Sequence, residues 1–349
     1  MRIDRREFLA GGLAGGIAGL HPGRATPADG DPPVLRRRIG PTEDKRWYDL
    51  AQSGPYQAQP EPALMPLGQG KALVHAPRGL KSAPLVVFSH GALTDPIAYR
   101  PLLQHWVSHG FVVVAPKHDD SILERGLLTR TSSANGSSTW DVDRVLNDAN
   151  AWDARVEACR VPLEHADIIG KAVGVNVSTD RPIIAGHEFG AYTAQLILGA
   201  SVLNDVGKSL SFEDPRWYAG LLLSPQGPGI MGLSDGSWER LSRPTMFVQA
   251  GRESDFTGQS PGTKIDAFKR SPPGHKYLAW FDDAGRNLYT GPRAGREEGA
   301  RDARLFEDMK AETTAYLTAY ANQDVSMYDA LTGEWPSRAT FGRMQTRVR

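Results

Sequence analysis

The sequence predicts an α/β fold with a mostly parallel central sheet and helices on both faces. Two patterns predict it: short apolar runs recur between turn signals, and stretches of helical period lie between several of them. A third observation fixes its polarity, because one run, Pro182-Ile183-Ile184-Ala185, leads straight into Gly186-His187-Glu188-Phe189-Gly190 and then a helix near Ala191. Buried strands are expected at Ala72–Ala76, Leu85–Ser89, Phe111–Ala115, Pro182–Ala185, Gly220–Leu223, Thr245–Ala250 and Tyr277–Phe281. Helices are expected at Ile97–Ser108, Val142–Cys159, Ala191–Val202 and Ala303–Tyr320.

Ahead of these elements stands a stretch of another kind. Arg5-Arg6-Glu7-Phe8-Leu9 opens a weakly apolar run to Leu20, and small residues follow to Ala28. This resembles a twin-arginine export signal over residues 1–28, with Asp4 where serine or threonine is usual. The resemblance implies cleavage near Ala25 or Ala28, export by the twin-arginine machinery, and a periplasmic or secreted bacterial protein. A run of this length is too short for a helix that spans a bilayer, which needs about 20 residues, so no permanent membrane anchor is expected. Residues 29–69 are rich in proline and charge and read as a wrapping segment. One large domain is expected over 70–322, with residues 323–349 as a tail packed on the surface.

Lysine and arginine number 40, against 40 aspartates and glutamates, so no nucleic-acid partner is implied. Cys159 is the lone cysteine and cannot close an internal disulfide, which leaves stability to the apolar core. The segment 118–139 is polar and serine-rich, and its position after a strand suggests a rim or lid.

The strand-to-helix turn around Glu188 is the context that a nucleophile elbow requires. Ser89-His90-Gly91-Ala92 closes an earlier strand, where one oxyanion-hole amide is expected from Ala92 and the other from Phe189. Together with Pro116-Lys117-His118-Asp119-Asp120-Ser121, these motifs resemble the α/β-hydrolase superfamily. The branch is the one similar to platelet-activating-factor acetylhydrolases, chlorophyllases and predicted dienelactone hydrolases. The resemblance implies the α/β-hydrolase fold, a triad in the order nucleophile, acid, histidine, and a pocket for a small molecule or ester-like substrate. It places the nucleophile at Glu188, the acid at Asp255 with Glu253 as alternate, and the histidine at Arg286. It also puts His90, His118, Asp119 and His187 at the pocket.

Glu188 and Arg286 depart from the superfamily pattern, and no histidine follows His275. A guanidinium stays protonated in proteins, so Arg286 cannot serve as the triad's base. The two departures match in charge. Glu188, Arg286 and Asp255 are therefore expected to form an ionic network, with the Glu188 carboxylate turned toward the amides of Phe189 and Ala92. Three readings stay open: a hydrolase-fold protein without ordinary serine-esterase activity, a hydrolase of the ester or epoxide class using Glu188 as carboxylate nucleophile or base, and a non-catalytic interaction protein. The second needs His90, His118 or His187 to replace the missing base. No cofactor is expected, and no metal, since a loop network fits His118-Asp119-Asp120 better than a cation site with Glu188. His187 reads as a packing residue and His90 as a brace of the oxyanion loop.

Overall fold

The computed structural model describes residues 43–120, 145–204, 206–255, 257–292 and 299–349. The expected export signal, part of the wrapping segment and most of the polar loop lie outside the described residues. Helix α1 (Glu43–Ala51) leads to strands β1 (Ala63–Leu67), β2 (Gly70–His75) and β3 (Ser82–Ser89). Helix α2 (Arg100–Ser108) crosses to β4 (Val112–Lys117). After the loop come α3 (Ala149–Glu164) and α4 (Ala166–Val173), then β5 (Asn176–His187) and α5 (Phe189–Ile197). A two-stranded ribbon, β6 (Ser201–Leu203) and β7 (Ser209–Ser211), precedes β8 (Ala219–Leu223) and β9 (Thr245–Ala250). The short helices α6 (Pro261–Lys264) and α7 (Asp266–Arg270) connect to β10 (Lys276–Phe281), which is followed by the long α8 (Gly299–Ala321). The chain closes with α9 (Val325–Thr332), α10 (Trp335–Ala339) and β11 (Gln345–Val348).

The main sheet has nine strands in the order β1-β2-β4-β3-β5-β8-β9-β10-β11. The run from β4 through β10 is parallel, while β1, β2 and β11 are antiparallel additions at the two edges. Strands β8, β9 and β10 are buried at every position, which is why they read as unbroken apolar runs and not as alternating ones. On one face α1, α2 and α8 close a core built from Trp47, Leu102, Trp106, Met309 and Tyr316 with strand residues such as Phe88, Ile183 and Val248. On the other face α3 and α5 pack against β3 and β5.

Two expectations change. The helix after the elbow begins at Phe189 and ends at Ile197, because Gly199 at φ 112° turns the chain away and Ser201–Leu203 becomes β6. Residues 323–349 do not form a surface tail: Trp335 is fully buried and T-shaped against Trp47, with ring centroids 5.2 Å apart, and β11 extends the sheet beside β10. Those contacts join residues far apart in sequence, so no local period announces them. Among the described residues no helix is long and apolar enough to cross a membrane.

Candidate active site

The site stands where the carboxyl ends of β3, β5, β8 and β9 meet. Strand β5 ends at His187 and α5 begins at Phe189, leaving Glu188 alone in the turn at φ 49° and ψ −116°. A side-chain-bearing residue held at positive φ costs on the order of 1–3 kcal/mol, and the surrounding structure must over-determine it. It does so here. The Glu188 amide donates to the Leu223 carbonyl at 3.0 Å, and the Glu188 carbonyl accepts from Tyr192 at 2.9 Å. A Cβ on Gly186 would stand 2.2 Å from the Gly190 carbonyl oxygen, and one on Gly190 would stand 1.9 Å from that of Ser89. Both positions therefore need glycine for close approach of backbone to backbone.

The Glu188 side chain is buried, and the Arg286 guanidinium, half exposed, caps it. Arg286 Nη2 donates to Oε2 at 3.2 Å; Oε1 lies equally near but accepts no hydrogen bond. Arg286 reaches this point from a 3₁₀ turn, Arg286–Leu288, that follows β10. No hydrogen bond joins the Glu188 carboxylate to the amides of Ala92 or Phe189 among the described residues, so the expected filling of the oxyanion hole is not found. The carboxylate turns toward the guanidinium, the stronger partner for a charge.

Beside Glu188 lies a second polar chain. Tyr99 Oη and His187 Nδ1 are 2.7 Å apart, and the Gly91 amide donates to the same Oη at 3.2 Å. The other imidazole nitrogen, Nε2, faces Glu253 Oε1 at 3.8 Å. Glu253 is buried just past the end of β9, where its Oε2 accepts from Gln249 at 3.1 Å and from Tyr289 at 3.3 Å. Burial raises the Glu253 carboxyl, but His187 and the Lys264 charge outweigh it and bring it down to about 2. Asp255 faces elsewhere. It pairs with the buried Lys264 and accepts from the Thr257 amide at 2.9 Å, so it does not join the expected network with Glu188 and Arg286. The buried Lys264 ammonium needs a counter-charge, and Asp255 supplies it, while Lys264 also donates to Ser224 Oγ at 2.7 Å.

A family model described as Chlorophyllase matches residues 57–143. Platelet-activating factor acetylhydrolase from Canis lupus familiaris is 25% identical over 194 residues, which cover 48% of this chain and 40% of that one. The chain thus spans about two-fifths of the relative's length. The chain is α/β-hydrolase-like, on the branch resembling chlorophyllases and platelet-activating-factor acetylhydrolases.

In this α/β-hydrolase-like protein the loop after β3 is held from behind. His90 Nδ1–H donates to the Gly91 carbonyl at 2.8 Å, which leaves Nε2 to accept from the His118 amide at 3.1 Å. Burial, then the Arg155 charge, lowers His90 to about 4, so it is a neutral brace. His118 bonds Ser89 Oγ through Nε2 at 2.8 Å, and burial drives it well below the usual range. Asp120 is gripped by Arg155 at 2.7 Å, whereas Asp119 is exposed. Residues 116–120 are thus tied to the loop after β3 through Ser89, His90 and Arg155. Arg155 also donates to the His90 carbonyl at 2.8 Å and lies 4.2 Å over the Phe189 ring, fixing both sides of the expected oxyanion hole.

Sequence reasoning missed Tyr99, Arg155, Lys264 and Tyr289, all of which hold the site from separate elements. None carries a local motif; only the third dimension brings them in. A groove of about 510 Å³ lined by Leu146, Ile230, Met231, Leu233 and Thr257 lies beyond the loop after β8, and the elbow residues do not line it.

The Glu188 side chain also constrains the loop opposite. A Cβ on Gly91 would stand 2.8 Å from Glu188 Oε2 and 3.1 Å from Tyr99 Oη. Gly91→Ala is expected to destabilise by about 1–3 kcal/mol. A urea double-mutant cycle with Glu188→Ser should show coupling of about 1 kcal/mol, because the shorter side chain relieves the closer clash. Simple additivity would show that the two residues do not meet.

Proposed function

We propose that this is an exported α/β-hydrolase-like protein that does not carry out Ser-His-Asp ester hydrolysis and instead uses its site to hold a small, ester-like molecule. One observation carries this reading: the nucleophile position bears a carboxylate ion-paired at 3.2 Å with a guanidinium at the base position. Serine catalysis needs a hydroxyl and a neighbouring group that takes up its proton. A carboxylate has no proton to give, and a guanidinium takes none. The ester-like ligand class rests on the names of the relatives, an acetylhydrolase and a chlorophyllase. Export rests on the Arg5-Arg6 segment.

A second reading, with Glu188 as a carboxylate nucleophile, is favoured by the strained turn and by His187, whose ring nitrogen lies within 4.8 Å of a Glu188 oxygen. Against it, Nδ1 is engaged by Tyr99, which leaves only Nε2, buried and turned toward Glu253 at 3.8 Å, to activate a water.

The test is a panel of short-chain esters and epoxides with the purified protein and Glu188→Gln, followed by intact mass. The expected result is no turnover above background and no adduct. Turnover lost in Glu188→Gln, or an adduct at Glu188, overturns the proposal. The pair Glu188→Ser and Arg286→His, made together, is expected to gain esterase activity if the pocket is intact.

A further inference from the structure

Three buried polar atoms in this site have no hydrogen-bond partner: His187 Nε2, Glu188 Oε1 and Glu253 Oε1. They come from the end of β5, the elbow itself and the turn after β9, and one nitrogen or oxygen from each of these three residues lies within 4.8 Å of the others. His187 and Glu188 are 1% and 4% exposed and Glu253 is 5% exposed, so bulk water does not satisfy them. Buried polar groups left unpaired are rare and costly, and three on residues this close together call for an occupant.

The protons settle what kind. If His187 Nδ1–H donates to Tyr99 Oη, then Nε2 presents a lone pair to the Glu253 Oε1 oxygen at 3.8 Å. If Tyr99 donates to Nδ1 instead, the Nε2 hydrogen points toward Glu253 Oε1 at 3.8 Å, beyond hydrogen-bond reach, and Glu188 Oε1 has the ion-pair contact with Arg286 Nη2 at 3.2 Å but no hydrogen bond. Either arrangement leaves a buried carboxylate oxygen unsatisfied. Charge points the same way: Glu188, Glu253 and Asp255 face Arg286 and Lys264, an excess of one negative charge.

We propose that His187, Glu188 and Glu253 bind a borderline divalent cation of the zinc class. This inference rests on the reading that Glu188 is not spent as a nucleophile. One imidazole nitrogen and two carboxylate oxygens are a donor set that suits such an ion, and three protein ligands leave a further position for a ligand's oxygen. An ion at the centre of the triangle lies at most about 2.8 Å from each atom, and small side-chain rotations bring it to about 2.0–2.2 Å. The outer contacts are those such a site needs. Tyr99 fixes the imidazole through Nδ1, and Gln249 and Tyr289 hold the other oxygen of Glu253. Entry is by way of Arg286, whose half-exposed guanidinium covers Glu188 and is long enough to swing aside. The bound ion would give the ester-like ligand's carbonyl a positive partner in place of an oxyanion hole.

The test is a calorimetric titration of the untagged, chelator-treated full chain with Zn²⁺, and the absorption spectrum with Co²⁺. The expected result is one equivalent bound and an intense visible Co²⁺ band. Affinity should fall at least 100-fold in His187→Gln and in Glu253→Gln, and about tenfold in Tyr99→Phe. Glu239→Gln, an exposed control, should bind as the wild type does. No stoichiometric binding by the wild type overturns the proposal without any variant, and leaves a bridging water as the occupant. Binding unchanged in both ligand variants overturns it equally. Ester turnover that Glu188→Gln abolishes, in a protein that still binds zinc through His187, would sink the preceding functional reading and leave the metal site standing.

Discussion

Arg155→Ala is expected to lower stability by about 3–5 kcal/mol, the cost of stranding a buried charge. Arg155 projects from α3 and is 2% exposed. It donates to Asp120 at 2.7, 2.8 and 3.2 Å and to the His90 carbonyl at 2.8 Å. Burial alone would raise the Asp120 carboxyl, but the charge and hydrogen bonds of Arg155 outweigh it and hold it below the usual carboxylate range. Removing the guanidinium leaves that carboxylate uncompensated, frees two turns of backbone and uncovers the Phe189 ring. Urea unfolding gives the number. Arg155→Met combined with Asp120→Asn should be more stable than Arg155→Met alone, because the stranded charge is gone. A single-variant loss under about 1 kcal/mol would show that the pair does not anchor the loop.

That bolt also shows how far the sequence could be read. Strand β9 was legible to the residue, Thr245–Ala250, because a strand buried on both faces writes itself as an unbroken apolar run. The elbow was legible because two glycines must sit where backbone meets backbone, and that requirement is local. The choice between Asp255 and Glu253 was not. Two acids two residues apart in a turn share one local signal, and what separates them is Lys264 on α6, which takes Asp255 and leaves Glu253 to face His187. Tyr99 and Arg155 were invisible for the same reason: their partners lie 88 and 35 residues away in sequence. The buried tail was missed because Trp335 finds Trp47 across almost the whole chain. Local chemistry wrote the scaffold of the site, and long-range packing chose which polar groups face it.

Glu312→Gln is expected to stabilise the protein by about 4 kcal/mol at pH 8 and above, and hardly at all near pH 4. Glu312 lies on α8, 2% exposed, near Tyr277, and its Oε2 has no hydrogen-bond partner. Burial raises its carboxyl from 4.5 to about 8. In the unfolded chain the group ionises near 4.5, so between that pH and about 8 the folded state holds one proton more than the unfolded state. Stability then falls as pH rises, by about 1.4 kcal/mol per unit, and levels once the folded carboxyl itself ionises. Glutamine carries no such proton and removes the slope. The buried histidines act in the opposite sense, since His75 and His90 lowered to about 4 and His105 to about 3 add stability as pH rises toward 6.5. For that reason the quantity to measure is the difference between wild type and variant in urea at pH 5, 7 and 8.5, from which the histidine contribution cancels. A difference that grows with pH identifies Glu312 as the burdened group, whereas a flat difference would place a counter-charge beside it.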